Sequence, residues 1–293
     1  MKKFIIQTIA FFVLIIGILG SVFAVRYVLI NRVSWKLPNE TNVLFMGASH
    51  ILNGINDAKY PNSINLASSS ERYLFTYLKL ERLLKQNPQI DTLFLEMAPT
   101  DIWENTDTKY YTVNELSDFL PKYFLFFNKE EWNIYTEKIF PQIDNSFFIN
   151  TFIPKIIKFI PPKNIHYWGA YAPREQVFDR FKDKYKSSIR NNNEGNAINH
   201  LYLRKIINLA KEYDVKLLFL YMPMYEPERF YNQEEYYEAY EKYFSDVELL
   251  DYNKFDMPDS LRADEHHLNT AGAEYFTLKL HHDMDSLRVS KIE

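Results

Sequence analysis

Two short segments, far apart in the chain, hold the residue types of a nucleophilic hydrolytic site. The first is Gly47-Ala48-Ser49-His50, where the apolar run Asn42-Val43-Leu44-Phe45-Met46 breaks at a glycine. The second is Asp264-Glu265-His266-His267-Leu268-Asn269, followed by Ala271-Gly272-Ala273. A serine hydroxyl is a poor nucleophile until a neighbouring base takes its proton, and an imidazole base needs a group that fixes its tautomer. Ser49 offers the hydroxyl. Asp264 and His267 offer the orienting carboxylate and the base on one tight turn. The first segment is not the Gly-x-Ser-x-Gly elbow, because position 51 is Ile.

Each residue also has a plainer reading. A Gly-x-Ser turn after a strand is commonly structural, and Asp264 could cap the final helix. His50 sits next to Ser49, but sequence neighbours usually point apart, which argues against a direct role. The same reasoning applies to His266-His267 and His281-His282. No carboxylate cluster beside them has ligand spacing, so no metal is expected. Glu96 and Asp101 fall at a strand end, lining a crevice or serving as solvated or capping groups. Trp103, Tyr110, Tyr111, Trp132 and Trp168 either stack on sugars or pack the region around them.

These residues need a scaffold, and the surrounding pattern supplies one. Val43 to Met46, Pro61 to Ala67 and Asp91 to Met97 read as strands, and Glu71 to Lys85 reads as an intervening helix capped by Ser69 or Ser70. The rhythm of strand, loop, helix and strand predicts a parallel α/β sheet. It stops from about residue 102 to 195, an aromatic, proline-punctuated insertion with helical patterns over Glu130 to Ile139 and Asn145 to Ile160. It resumes with a helix from about Ala197 to Tyr213 and a strand over Lys216 to Tyr221. A helix over Gln233 to Phe244, a strand around Val247 to Leu250 and a final helix from Thr270 to about Leu287 follow. In such a sheet the loops at the carboxyl ends of the strands form the functional crevice. Ser49, Ser68 to Ser70 and Pro99 to Asp101 all emerge there.

With 47% hydrophobic and 25% charged residues, the 293-residue chain can form a packed body rather than a disordered one. A net charge of -4 without a dense basic run gives no reason to expect nucleic acid as a partner. The absence of cysteine excludes disulfides, thiolate metal sites and a cysteine nucleophile. Lys2 and Lys3 precede an apolar stretch from Phe4 to Val25, long enough for a membrane helix of roughly 20 residues. Residues 1–30 therefore read as a membrane anchor or a signal peptide, residues 31–41 as a linker and residues 42–293 as the α/β domain. The lysines place the body outside the cytoplasm. A cleaved signal peptide, suggested by Val22-Phe23-Ala24, would export it too.

Gly47-Ala48-Ser49-His50 and Asp264-x-x-His267-Leu268-Asn269-x-x-Gly272 resemble the first and last blocks of the SGNH (GDSL-type) hydrolase superfamily. The resemblance covers roughly Asn42 to Asp101 and Ala197 to Leu287. It implies a flavodoxin-like three-layer α/β/α fold and a Ser-His-Asp triad acting on ester-linked acyl groups, with no cofactor. By that match Ser49 is the nucleophile, His267 the base and Asp264 its partner. Three blocks depart from the pattern. Ala48 replaces an aspartate, Ser68-Ser69-Ser70 occupies the turn of a glycine, and Ala98-Pro99-Thr100-Asp101 stands where Gly-x-Asn is usual. The amides of Ser49 and of Ser68 or Ser69, with the Thr100 hydroxyl, are then the expected oxyanion donors, and His50 is a further candidate beside them.

The anchor and the long insertion narrow the resemblance to membrane-anchored SGNH-like proteins of cell-envelope polymer modification, as in alginate acetylation and lipoteichoic-acid D-alanylation. This implies an acylated glycan or envelope polymer as substrate and a membrane-bound acyltransferase as partner. The alternative is a non-catalytic SGNH-shaped scaffold or glycan-binding subunit of such a complex, which the replaced glycine and asparagine blocks favour.

Overall fold

Uninterrupted apolar runs build the centre of the molecule. In the computed structural model, which describes residues 1–102, 110, 117–143, 146, 150, 153–158, 164–179, 197–225 and 233–290, these runs form five strands. They are β1 (Val43–Met46), β2 (Ser63–Asn65), β3 (Thr92–Glu96), β4 (Lys216–Tyr221) and β5 (Leu249–Asp251). All pairs are parallel, in the order β2-β1-β3-β4-β5. A strand covered on both faces needs apolar side chains at successive positions. Leu44, Phe45 and Met46 of β1 and Leu93, Phe94 and Leu95 of β3 meet that need, all fully buried.

The helices follow from the handedness of the crossovers. The chain runs outward from β1 to β2 through α2 (Ser49–Gly54), then turns back through α3 (Tyr73–Gln86) to β3. It continues through α4 (Pro99–Ile102) and α5 (Ala197–Glu212) to β4, then through α6 (Gln233–Tyr243) to β5 and α7 (Thr270–Ser290). Reversing direction after β2 puts α2 and α7 on one face and α3 and α5 on the other. Ile51 of α2, Ile55 just after it, and Phe276, Leu280 and Met284 of α7 accordingly pack over Val43, Phe45, Phe94, Leu218 and Leu220. Phe45 and Phe94 stack at 4.8 Å, with Tyr60 edge-on to Phe45 at 5.2 Å. Each fully buried phenylalanine contributes about 1.5–3 kcal/mol relative to exposure. The reversal of direction at β1 and β3 is the topological switch point, where a doubly wound sheet opens its crevice.

Buried polar groups pin the loops that lead to this crevice. The Asn65 side chain donates to the Ile51 and Ile55 carbonyls (2.9 and 2.8 Å) and accepts from the Ala67 amide (3.0 Å), tying α2 to the end of β2. Lys79, fully buried, pairs with Glu71 at 2.7 Å and donates to the carbonyls of Leu66 and Trp168. Drawing Glu71 inward changes the start of α3. Ser70 turns at a φ of 60°, the helix begins at Tyr73 with Arg72 as N-cap, and no serine side chain caps it. The stretch read as a linker is fastened from Trp35 onward. The Leu37 amide donates to Asn87 Oδ1 at 2.7 Å, and Asn87 Nδ2 donates to the Trp35 carbonyl at 2.7 Å.

The chain divides into two compact units, Met1–Ser34 with Tyr111–Ile165, and Trp35–Tyr110 with His166–Glu293. The first contains α1 (Lys2–Asn31), long and apolar enough to cross a membrane by length and composition, a test that an N-terminal signal sequence also passes. Within that unit Phe23 of α1 meets Phe124 edge-on at 5.7 Å. Its described remainder is helical. Lys129–Ile134, capped reciprocally by Asn128 and Glu131, runs on into a π-helical turn over Tyr135–Ile139, and Ile153–Lys158 forms another short helix. Among the described residues of the insertion there is no strand. Trp103, Tyr111 and residues 144–145 lie outside the described residues.

Candidate active site

The tip of β1 is shaped by Glu96. Gly47 has a φ of 148°, and a Cβ on it would lie 2.3 Å from Glu96 Cβ and 2.9 Å from Glu96 Oε2. The glycine is therefore required both by its backbone angle and by the carboxylate beside it. Ala48 is the N-cap of α2 and has no side-chain acceptor. Glu96 Oε2 replaces it, accepting from the amides of Ala48 (2.7 Å) and Ile51 (3.2 Å). These are the two donors that a capping box satisfies from within a helix. The other oxygen, Oε1, holds His50 Nδ1 at 2.6 Å. Ser49 is left as the first residue of α2, half-buried, and its amide has no acceptor among the described residues.

The second turn closes on its own backbone. Asp264 Oδ1 accepts from the amides of His266 and His267, each at 2.9 Å. The same carboxylate holds His267 Nδ1 at 2.8 and 3.0 Å from its two oxygens. Arg174 Nη1 donates to Oδ2 at 2.7 Å. An ionised carboxylate only accepts, so His267 carries its proton on Nδ1 and its lone pair on Nε2. That Nε2 is buried and has no hydrogen-bond partner among the described residues. The capping alternative for Asp264 is overturned, because Asn269 caps α7 by accepting from the Gly272 amide at 2.9 Å. A Cβ on Gly272 would lie 1.9 Å from the Leu261 carbonyl oxygen. The Asn-x-x-Gly sequence thus fastens the histidine turn against its own approach segment.

The two turns converge. The His50 and His267 rings lie 5.6 Å apart between centroids, tilted by 30°. His50, argued against as a base from its neighbour Ser49 but kept as a candidate at the site, sits in the first turn of α2 on Glu96 and beside His267. The Ser49 hydroxyl makes no hydrogen bond to His267 Nε2. A strap of residues 169–178 laces the two turns together. The Ala172 carbonyl accepts from Asn53 Nδ2 at 2.7 Å, the Ala172 amide donates to the Leu52 carbonyl at 2.9 Å, and the Thr270 amide donates to the Arg174 carbonyl at 2.8 Å.

The remaining expected donors are placed less favourably. The Ser68 amide is engaged on the Gly47 carbonyl at 3.1 Å, a backbone tie between the first two strand ends. Ser69 is exposed on the following turn. The backbone of Thr100 lies in α4, while its side chain falls outside the described residues. Among the described residues, no cluster of three or more His, Asp or Glu has the arrangement of a metal-ligand set.

The two histidines differ in proton affinity. Burial, reinforced by the charge of nearby His50, lowers the pKa of His267 despite its bond to Asp264. Burial works in the same direction on His50, but the charge and hydrogen bond of Glu96 prevail, aided by Asp101 and Asp264, and its pKa is raised. Burial opposes ionisation of Asp264 and of Glu96. Bonds from His267 and the turn amides nevertheless hold Asp264 well below the usual carboxylate range, and His50 with the two amides lowers Glu96. Asp101, whose Oδ2 accepts from the Ala98 amide at 2.9 Å, is pushed up to about 7 by burial and the Glu96 charge.

Sequence reasoning left Glu96 as a capping or solvated group and did not single out Arg174. The signal for Glu96 was present in the paired strand ends, since a glycine after β1 faces a carboxylate at the end of β3. Arg174, 90 residues from Asp264, had none. In comparisons with known proteins, no family model matches this chain and no curated protein is similar to it.

Proposed function

We propose that this chain is an SGNH-like serine esterase or O-acyltransferase, anchored by its N-terminal helix with the α/β body outside the cytoplasm, acting on acyl esters of an envelope glycopolymer. The single observation that carries the reading is His267. Its Nδ1 is committed to an ionised Asp264, while its Nε2 is buried, lone-pair bearing and without a partner among the described residues, beside the turn that presents Ser49. A buried nitrogen without a partner is costly in a merely structural histidine and useful in a base. Ser49 Oγ attacks the acyl carbon as its proton passes to Nε2. The free amide at the start of α2 donates to the oxyanion. Catalytic hydrogen bonds are often unformed without substrate, so the open Ser49–His267 pair is compatible with this chemistry.

A second reading, the non-catalytic scaffold or glycan-binding subunit, is favoured by Glu96. Its carboxylate engages two amides at the helix start, close to where negative charge would develop. The full-length chain in detergent separates the two readings. A chromogenic acetyl ester is hydrolysed by the wild type and not by Ser49→Ala, and a reactive organophosphonate labels Ser49. Equal hydrolysis by the variant defeats the nucleophile, and absence of labelling together with absence of turnover points to the scaffold.

A further inference from the structure

We propose that His50, seated on Glu96, is a second acid–base residue of the site, serving the leaving and incoming oxygens of the acyl transfer while His267 serves Ser49. The inference rests on the reading of Ser49 as nucleophile. It begins from two complete histidine–carboxylate pairs whose rings lie 5.6 Å apart. A single base acting alone must take the serine proton and then deliver it to a different oxygen. Here the His267 ring is held by its bond to Asp264 and the Arg174 tie on that carboxylate, and His50 puts a second imidazole beside it to share the two transfers.

Glu96 gives His50 its reason to be present as an imidazolium. The carboxylate is buried at the start of α2, and the His50 ring, its pKa raised by that charge, is in hydrogen-bond contact with it. An uncompensated charge there would oppose an oxyanion forming beside the Ser49 amide. Protonated His50 cancels it and holds a transferable proton on Nε2. The groups facing His50 are Glu96 from β3, Asp101 from α4, and Asp264 and His267 from the turn before α7, with Arg174 on Asp264. Their balance favours the charged ring, whereas His267 favours the neutral one. Two titratable groups driven apart in this way are matched to opposite acid and base tasks.

The steps balance without a further reactant. As the bond from Ser49 Oγ to the acyl carbon forms, the hydroxyl proton passes to His267 Nε2. The ester C–O bond breaks, its electron pair leaves on the alcohol oxygen, and that oxygen takes the proton of His50 Nε2. In the second half a sugar hydroxyl or water forms the new bond to the acyl carbon and gives its proton to neutral His50. Ser49 Oγ then departs with the proton held by His267, and both rings return to their starting states. Such a device matters for unactivated alkyl or sugar esters, whose leaving oxygen must be protonated, and little for aryl esters.

The test compares p-nitrophenyl acetate with an alkyl acetate on the full-length chain. His50→Gln slows the alkyl ester about 10²-fold and the aryl ester about ten-fold less than that, in line with the usual size of general-acid catalysis. Wild-type kcat/KM on the alkyl ester, which reports acylation, falls on the alkaline side as His50 loses its proton, while kcat/KM on the aryl ester does not. The wild-type comparison needs no variant to fold. Equal slowing of both esters by His50→Gln, or parallel wild-type pH profiles, overturns the acid role. Undiminished turnover of both esters by Ser49→Ala sinks the nucleophile reading instead, so the two failures are told apart.

Discussion

His267–Asp264 and His50–Glu96 use the same two functional groups and reach opposite protonation preferences. Asp264 is 34% exposed and divides its charge among Arg174, two backbone amides and the His267 ring. Glu96 is 3% exposed, meets two amides and His50, and has Asp101 as a further nearby carboxylate. Burial lowers both rings. On His267 the charges of His50 and of Arg174 add to it and outweigh Asp264, whereas on His50 the charge and hydrogen bond of Glu96, with Asp101 and Asp264 behind it, outweigh burial. The teaching is that a carboxylate partner alone does not set the role of a histidine; burial and the other charges around the pair do.

The sharpest way to break the comparison is Asp264→Asn. The amide nitrogen can present N–H to His267 Nδ1, favouring the tautomer whose Nε2 carries the proton. The base is then lost, and kcat on a chromogenic ester should fall by about 10³–10⁴-fold, the scale seen when a triad carboxylate is replaced by its amide. A loss below ten-fold would show that His267 does not act through Nε2.

Arg174→Ala makes the first pair more like the second. Removing the guanidinium leaves more of the Asp264 charge to His267, so the His267 pKa rises from its lowered position. The acid limb of the kcat/KM profile, which reports protonation of the free base, should move to higher pH by a few tenths of a unit to about one unit, since the ion pair is partly exposed. A limb that stays put or moves to lower pH would remove Arg174 from the electrostatics of the base.

The smallest effect tests the carboxylate behind Glu96. Asp101 is raised to about 7, above its ordinary value near 4, so the folded state binds more protons than the unfolded chain between those two values. Its contribution to stability is present at low pH and is lost as pH rises through that window. Asp101→Asn keeps an acceptor for the Ala98 amide and removes the titration. The melting temperature of the variant relative to wild type should therefore be higher at pH 8 than at pH 5, by a few degrees. An equal difference at both pH values would show that Asp101 ionises as an ordinary surface carboxylate does.

Much of the scaffold was legible because strands and helices write their burial into the chain. Lys216–Tyr221 and the starts of α5, α6 and α7 fall where the apolar pattern puts them. The misplacements have local causes. Glu71 was read as helical but is drawn inward by Lys79, and the weakly apolar β5 begins at Leu249, two residues past the expected Val247. In the site, Asp264 and His267 could be paired from spacing alone, since three residues on one turn leave few other arrangements. His50 was kept as a substrate-side candidate and argued against as a base, and its seat on Glu96 beside His267 could not be read from its neighbours.

The sequence by itself determined a parallel α/β body, a serine at the tip of its first strand and a self-closing Asp-x-x-His turn. Apolar strands alternating with amphipathic helices mark the first two along the chain, and the turn closes within a few residues. Only the tertiary structure decided that Glu96 would cap α2 and hold His50, that Arg174 would bind Asp264, and that the two histidines would face one another. Those contacts span 46 residues for His50 and Glu96 and 90 for Arg174 and Asp264. They depend on the register of β1 beside β3 and on the strap crossing α2, which side-chain periodicity along one segment does not encode.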